Sequence, residues 1–233
     1  MLEWILLILA SFLPPLIYTV WIRNTEKCHR EKWITIFICF LWGASIAVIA
    51  AIILEVLLQI PLAISIDDSN TFFLLTVILI APVAEEFTKP LALKLKTVKK
   101  EIDELEDGLI YGAVAGLGFS ATENLFYGHE FLSKGLIVFF ILISLRSVGG
   151  CLLHASATAL TGYGYGKTVM KHTSLVRVLP YFILAIFVHS FYNFLVSFEM
   201  IGILVGLIAA FIFVGIVITL VRKKIRTLDA QTC

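Results

Sequence analysis

The sequence predicts an all-α protein in which about seven helices cross a membrane and form a single integral membrane domain over residues 1–233. Of the 233 residues, 60% are hydrophobic and only 15% are charged, and the surface of a water-soluble domain needs far more charge than this. The hydrophobic residues also come in long runs, and about 20 residues of helix cross the hydrocarbon core of a bilayer. Lipid is therefore the expected solvent for most of the chain.

Seven apolar runs mark the predicted membrane-spanning helices. In chain order they cover Leu2 to Ile22, Trp33 to Ile60, Phe72 to Leu95, Gly108 to Tyr127, Gly135 to Gly166, Val178 to Phe198 and Gly202 to Val221. The fifth run is long enough for one tilted helix or for two pieces broken near Gly149 and Gly150. We expect seven spans, with eight as the alternative.

Basic residues predict the orientation, because Lys and Arg concentrate in cytoplasmic loops. They cluster after the first, third, fifth and seventh runs, at Arg23, Lys27, Arg30, Lys32, Lys94, Lys96, Lys99, Lys100, Lys167, Lys171, Arg177, Arg222, Lys223, Lys224 and Arg226. The intervening loops carry almost none. An odd number of spans puts every cluster on one side, so we expect the N-terminus outside and the C-terminus in the cytoplasm.

Small residues recur at every fourth position of the fourth run. They are Gly108, Gly112, Gly116 and Ser120, and such a stripe lets the backbone of a second helix approach closely. We therefore expect the fourth span to be a central helix whose small-residue face is buried against protein. Helix packing is the commonest use of this motif, so the stripe by itself predicts architecture.

Ionisable and amide side chains inside the runs are the candidate functional residues. An ionisable group at mid-membrane costs at least about 2.5–3.5 kcal/mol on insertion scales, so it needs a partner, a wet cavity or a task. The third to sixth runs contribute Glu85, Glu86, Lys89, Glu123, Asn124, Arg146, His154, His189 and Asn193. Approximately residues 72–198 therefore form the predicted catalytic core. The alternative is an ion-pair network that only fixes helix packing.

Helical spacing predicts that these groups face one cavity. Glu85 and Lys89 are four residues apart and share a helix face, and so do His189 and Asn193. The adjacent carboxylates of Glu85 and Glu86 are expected to titrate as a unit, so one can stay ionised as a general base while the other is protonated or paired with Lys89. That separation of roles is typical of acid–base chemistry on water.

Missing motifs narrow the reaction. The sequence has no HExxH motif of zinc proteases, no GxSG motif of rhomboid-like serine proteases, and no aspartate inside a predicted span for an intramembrane aspartyl protease. Cys151 lies one turn before His154, so a Cys–His dyad is an alternative, although a buried free cysteine is more often an apolar filler. We expect the carboxylates to carry the chemistry, with no metal and no other cofactor.

Four motifs occur in order on four consecutive spans. They are Glu85-Glu86-Phe87-Thr88-Lys89, the stretch from Asp107-Gly108 to Phe119xxxGlu123-Asn124, then His154, then His189xxxAsn193. Together they closely resemble the PrsW family of prokaryotic membrane glutamic endopeptidases, which is related to the CAAX prenyl endopeptidases and to bacteriocin-processing enzymes. The resemblance covers roughly residues 80–195, and four motifs in the right order are specific where one alone is weak.

The resemblance implies cleavage of a peptide bond in or next to the membrane by a glutamate-activated water, without an essential metal. It assigns Glu85 as the base, with Glu86 and Lys89 as its electrostatic partners. It assigns His189 and Asn193 as stabilisers of the oxyanion.

One position departs from the prenyl endopeptidases. Those enzymes have a histidine in an FxxxH motif, whereas this chain has Glu123 four residues after Phe119, as PrsW-like proteins do. The helper imidazole must come from elsewhere, and His154 is the available candidate. Asn124 and Arg146 are the expected supporting residues. Prenyl-CAAX processing is consequently less expected than cleavage of a membrane-anchored protein.

The resemblance also predicts surroundings and partners. It implies a multi-pass protein of the prokaryotic plasma membrane, in contact with the lipid bilayer, that cuts a membrane-anchored protein such as an anti-sigma factor or a similar single-span protein. No nucleic-acid partner is expected. Two alternatives stay open: a catalytically silent scaffold of the same superfamily, and a small transporter, although the motifs show no inverted repeat between the two halves of the chain.

Overall fold

A computed structural model describes residues 2–197 and 202–232, and these two ranges contain helices and no strand. The long helices are α1 Leu2–Arg23, α2 Trp33–Ser65, α3 Ser69–Lys94, α4 Leu105–Leu132, α5 Leu136–Met170, α6 Leu179–Ser197 and α7 Ile203–Thr232. A helical turn, Lys96–Lys99, follows α3, and a 3₁₀ turn, Leu175–Val178, precedes α6. The all-α prediction is confirmed, and the predicted end of the sixth run, Phe198, lies outside the described residues.

Six of the seven long helices are long and apolar enough to cross a membrane, all of them except α4. The apolar character of α4 is diluted by glycines and carboxylates, but every residue from 106 to 121 is buried. A helix enclosed by protein does not need the apolar outer face that lipid requires. The fifth predicted run is one helix, because α5 continues through Gly149 and Gly150 without a break. A total of seven spans remains a prediction.

The predicted basic loops meet at one end of the bundle. Lys32 of the α1–α2 loop lies 2.6 Å from Glu101 of the α3–α4 loop, and Asp229 near the end of α7 accepts the backbone N–H of Lys27 at 2.9 Å. Lys99 and His172 line one cleft, which joins the α5–α6 loop to the same end. The clusters therefore share a side, as the alternation predicts, while which side is cytoplasmic remains a prediction.

The glycine stripe of α4 packs directly on the backbone of α5. A Cβ atom placed on Gly112 would lie 2.6 Å from the carbonyl oxygen of Thr158, and Cβ atoms on Gly108 and Gly116 would collide with the carbonyls of Gly162 and His154. Real Cβ contacts are not this short, so only glycine permits the approach. The predicted close packing is confirmed, and it presses the His154 turn of α5 against α4.

Helix α3 is irregular where it carries the carboxylate pair. Residues Thr76–Ile80 form a π-helical turn, in which Ala81 donates its N–H to the carbonyl of Thr76, five residues back. Pro82 would be the next donor in this register but has no N–H, so the carbonyl of Val77 loses its helical partner. The side-chain amide of Asn193 donates to that carbonyl at 2.9 Å, which satisfies it from α6.

Candidate active site

Helices α3, α4, α5 and α6, with Leu207 and Phe211 of α7, line a cavity of about 270 Å³. The side chains that line it include Glu85, Glu123, Arg146, His154, His189 and Asn193. Glu86, Lys89 and Asn124 lie directly behind this lining and are completely buried. The structure therefore brings together all nine residues that the sequence singles out, as the shared helix faces predict.

Lys89 is the centre of the group. Its side chain is fully buried, and its ammonium nitrogen lies 2.8 Å from Glu85 Oε2, 2.9 Å from Glu86 Oε1 and 2.8 Å from His154 Nδ1. Its approach to both carboxylates follows from the backbone, because α3 changes to a 3₁₀ turn at Lys89, directly after the α-helical turn that carries them. The ammonium also makes a cation–π contact with Phe119, with 4.4 Å between the nitrogen and the ring centre.

The ammonium determines the tautomer of His154. A lysine ammonium only donates hydrogen bonds, so His154 Nδ1 accepts and the ring proton is on Nε2. That Nε2–H donates to Glu123 Oε2 at 2.7 Å. Both ring nitrogens are thereby engaged, and Cys151 instead receives hydrogen bonds from Ser120 at 3.3 Å and Asn124 at 3.6 Å. The geometry does not support the alternative Cys–His dyad.

Glu123 is paired with a cation from the next helix. Arg146 of α5 lies 2.8 Å from Glu123 Oε2 and donates its Nε–H to Asn124 Oδ1 at 2.9 Å. The guanidinium also stacks on the ring of Tyr127 at 4.0 Å. Arg146 therefore holds Glu123, which in turn contacts His154, and Asn124 holds Arg146; their supporting roles stay a prediction.

Glu85 and Glu86 differ sharply in their hydrogen bonds. Glu86 Oε1 accepts from Lys89 and from His189 Nδ1, each at 2.9 Å, and Glu86 Oε2 accepts from Thr158 at 3.0 Å. Glu85 Oε2 forms an ion pair with the same ammonium at 2.8 Å, and this buried oxygen accepts no hydrogen bond. Of the pair, Glu85 is therefore the carboxylate with fewer polar contacts.

The imidazoles of His154 and His189 both lie beside Glu85 Oε2, which is 3.6 Å from His154 Nδ1 and 3.9 Å from His189 Nε2. One nitrogen of each ring is bound to a glutamate, so both rings are held in place. His154 Nδ1 also accepts from Lys89, so His189 is the ring that keeps a nitrogen available towards the cavity. An anchored imidazole with an available nitrogen is common around catalytic water and around metal ions.

The sequence analysis missed two side chains of this region. Thr158, which binds Glu86, lies four residues after His154 and therefore continues the same helix stripe, a signal that was available. Glu55 of α2 is half-buried, and its charge interacts with those of Glu85 and Glu123. The sequence could have indicated Glu55, because it is a carboxylate inside the second apolar run.

Three donor atoms of the site have the chemistry of a zinc ligand set. Ligand atoms of Glu85, His154 and His189 lie within 4.8 Å of one another, and two histidines with one glutamate is a known set for catalytic zinc. The ammonium of Lys89, however, is 2.8 Å from two of the three. Because a dication cannot share that space with an ammonium, the residues as they stand do not fit a metal.

Comparison with known proteins decides the family. The model of the PrsW family intramembrane metalloprotease matches residues 31–220. The chain belongs to this family. The resemblance seen in the motifs is thereby confirmed, although the family description names a metalloprotease where the motifs led us to expect no metal.

A curated relative of this PrsW-family chain is "Protease PrsW" of Clostridioides difficile (strain 630). The two are 30% identical over 122 residues, which is 52% of this chain and 50% of the relative. The chain thus spans about half the length of the curated relative that it matches. No solved structure matches the chain.

Proposed function

We propose that this PrsW-family protein is a membrane-embedded glutamic endopeptidase in which Glu85 activates a water molecule to hydrolyse a peptide bond. The observation that carries the proposal is the position of Glu85, which lines the cavity and whose Oε2 is ion-paired with Lys89 but accepts no hydrogen bond. Glu86 is fully buried behind it, and its two oxygens already accept three hydrogen bonds.

The proposed reaction needs one base and one oxyanion site. A water in the cavity attacks the carbonyl carbon of the scissile bond and gives a proton to the carboxylate of Glu85, while the carbonyl oxygen becomes an oxyanion. The C–N bond then breaks, and protonated Glu85 returns this proton to the leaving amine nitrogen. The glutamate ends as the carboxylate with which it began.

His189 and Asn193 are the proposed oxyanion donors. His189 Nδ1–H donates to Glu86, and Nε2 lies on the cavity side, 3.9 Å from Glu85 Oε2. The proposed role requires a proton on Nε2 as well, so that this nitrogen can donate to the oxyanion. Asn193 gives one amide hydrogen to Val77 and keeps its second for the substrate.

The proposed substrate is a membrane-anchored protein, such as an anti-sigma factor or a similar single-span protein. The supports are the family, the buried position of the site among four helices, and the apolar outer surface of the bundle. The proposed location is the prokaryotic plasma membrane. Cleavage of any such substrate would also separate this proposal from the silent scaffold and the small transporter.

The test of the mechanism is Glu85→Gln in the purified full chain, incubated with candidate single-span substrates. Glutamine keeps the size of the side chain but removes the base, so turnover should fall by about 100- to 10,000-fold while folding persists. Glu130→Gln is the matched control, because Glu130 is an exposed acid of α4 that pairs only with Lys134. Near-normal cleavage by Glu85→Gln contradicts the mechanism.

Metal dependence is the second test, because Glu85, His154 and His189 are zinc-type donors although the Lys89 ammonium lies among them. We expect full activity after treatment with strong chelators, with no stoichiometric zinc in active protein. Stoichiometric zinc whose removal abolishes cleavage would instead make these three side chains metal ligands and would require Lys89 to move away. Elemental analysis and activity measured on the same sample distinguish the metal-independent enzyme from the zinc enzyme.

A further inference from the structure

A second group of buried acids lies at the end of the bundle where the basic loops meet. Glu26 and Glu31 belong to the α1–α2 loop, and Asp107 belongs to the first turn of α4. They are 0%, 6% and 2% exposed, and one carboxylate oxygen from each lies within 4.8 Å of the others. Three carboxylates are therefore packed together away from solvent.

This group is separate from the proposed active site. Asp107 precedes Glu123 by sixteen positions on the same straight helix, and a rise of 1.5 Å per residue puts about 24 Å between them. None of the three acids lines the catalytic cavity. Any function of the group must therefore be a different one.

No cation of the described residues neutralises these acids. Arg23 and Arg30 are close, but their Nε–H groups donate to the backbone carbonyls of Glu31 and Glu26, at 2.6 Å and 3.2 Å. Within residues 2–197 and 202–232, no Lys, Arg or His forms an ion pair with the three carboxylates. Burial raises the pKa of Glu26 to about 8 and also raises the pKa of Glu31, which reflects the cost of leaving such charges unpaired.

Each carboxylate is held in place by one of its oxygens. The backbone N–H of Glu31 donates to Glu26 Oε2 at 3.1 Å, and the hydroxyl of Tyr111 donates to Glu31 Oε2. Asp107 Oδ2 accepts two backbone N–H groups of the preceding loop, at 2.7 and 2.8 Å. The positions of the acids are thus set before any ligand arrives.

Each of the two glutamates also has an oxygen that accepts no hydrogen bond. Glu26 Oε1 and Glu31 Oε1 are both buried, and the Glu31 and Asp107 side chains are close enough to share a proton. Glu26 is completely buried and has no such neighbour for its Oε1. Leaving a buried carboxylate oxygen unsatisfied is unfavourable, so this observation, separate from the clustering of charge, points to a missing positive ligand.

We propose that Glu26, Glu31 and Asp107 bind a hard divalent cation of the Mg²⁺ or Ca²⁺ class. The donors are all oxygens, which these cations prefer, and no nitrogen or sulfur donor favours a softer metal. The ion joins the α1–α2 loop to the start of α4. It therefore stabilises the end of the helix on which Glu123 lies, without touching the catalytic cavity.

The test uses Mn²⁺ as a paramagnetic probe on the purified full chain after metal has been stripped with a chelator. Wild-type protein should bind one Mn²⁺ tightly, seen as loss of the free-ion electron paramagnetic resonance signal, and Ca²⁺ or Mg²⁺ should displace it. The order of displacement identifies the natural class of ion. Wild-type protein that retains no Mn²⁺ overturns the proposal, since protons alone then neutralise the acids.

Substitutions of the acids test whether the ion binds at this group. Glu26→Gln combined with Glu31→Gln keeps volume and hydrogen bonding, and should lose the tight Mn²⁺ together with the rise in melting temperature that Ca²⁺ or Mg²⁺ gives. Glu101→Gln is the matched control, because Glu101 is an acid of the same end that pairs with Lys32, and it should bind as wild type does. Mn²⁺ that survives the double substitution but is lost in Glu85→Gln belongs to the catalytic centre and overturns the proposal.

Discussion

At the scale of single residues, the buried ammonium of Lys89 decides what its neighbours can do. It occupies the point where Glu85, Glu86 and His154 converge, so it lowers the repulsion between two adjacent carboxylates in a medium of low dielectric. The two carboxylates nevertheless differ, because Glu85 Oε2 has the ion pair but no hydrogen bond, whereas Glu86 accepts three hydrogen bonds. The two glutamates are neighbours in sequence but are not equivalent in chemistry.

Asn193 gives a prediction at this scale, because two roles compete for its amide. If it only supports the carbonyl of Val77, its loss should cost on the order of 0.6 kcal/mol of stability. If it also holds the oxyanion, Asn193→Ala should lower turnover by about 100- to 1,000-fold with substrate binding nearly intact. We expect the second result, and Asn193→Asp should be worse because its charge repels the oxyanion.

The control for this prediction lies on the same helix. Ser190 is three residues earlier, and its buried hydroxyl makes no hydrogen bond, so Ser190→Ala should cleave as wild type does. Turnover and melting temperature are measured together for both variants. A few-fold loss for Asn193→Ala, or a loss that only follows unfolding, would make the asparagine structural.

At the scale of secondary-structure elements, the contact between α4 and α5 positions the site. The glycine stripe lets the two backbones touch, and the carbonyls that it meets belong to His154 and Thr158 among others. His154 binds Glu123 and Thr158 binds Glu86. The close approach of α4 and α5 therefore also places His154 and Thr158 where they bind Glu123 and Glu86.

Gly112→Ala tests this contact. Its methyl group would lie 2.6 Å from the backbone oxygen of Thr158, so α5 must shift, at a cost of typically about 1–3 kcal/mol for an overpacked core. We expect a lower melting temperature and reduced cleavage. Gly215→Ala is the matched control, since nothing lies within 4 Å of a Cβ atom there, and it should be neutral or stabilising because alanine favours helix. Equal stability of the two variants would contradict the argument.

At the scale of the whole molecule, α4 differs from the other six long helices of the described residues, which are long and apolar enough to cross a membrane. Large hydrophobic side chains cover the outside of the bundle, as a lipid solvent requires, whereas α4 faces protein along most of its length. Glycines and acids that would be unfavourable against lipid are therefore tolerated in α4. This burial explains why α4 can be less apolar than a helix that faces lipid.

Orientation is the prediction that belongs to this scale. Because the basic loops share one end, we expect the C-terminal tail after α7 in the cytoplasm and the loop at Asp67 and Asp68 outside. Fusions of a cytoplasmic reporter to the C-terminus and an exported reporter to that loop should both be active. Reporter activity that places both sites on the same side would rule out seven spans.

The sequence by itself determined the class of protein and the candidate residues. The predictions used long apolar runs, the alternation of basic loops and a small-residue stripe. Each of these patterns involves residues that are close together in the chain, so their spacing is enough to predict spans, buried faces and a polar cluster. The motif order was also sufficient to indicate the family. These patterns can be recognised in the sequence alone because a helix has a fixed period.

Only the tertiary structure decided which contacts each side chain of the site makes. Glu86 accepts more hydrogen bonds than Glu85 because Thr158 and His189, which come from other helices, donate to it. That Asn193 reaches Val77 depends on the π-helical turn of α3, and the acid group at Glu26 depends on a loop meeting the start of α4. These contacts join residues far apart in the chain, and no local period encodes them, because they exist only once the helices have packed.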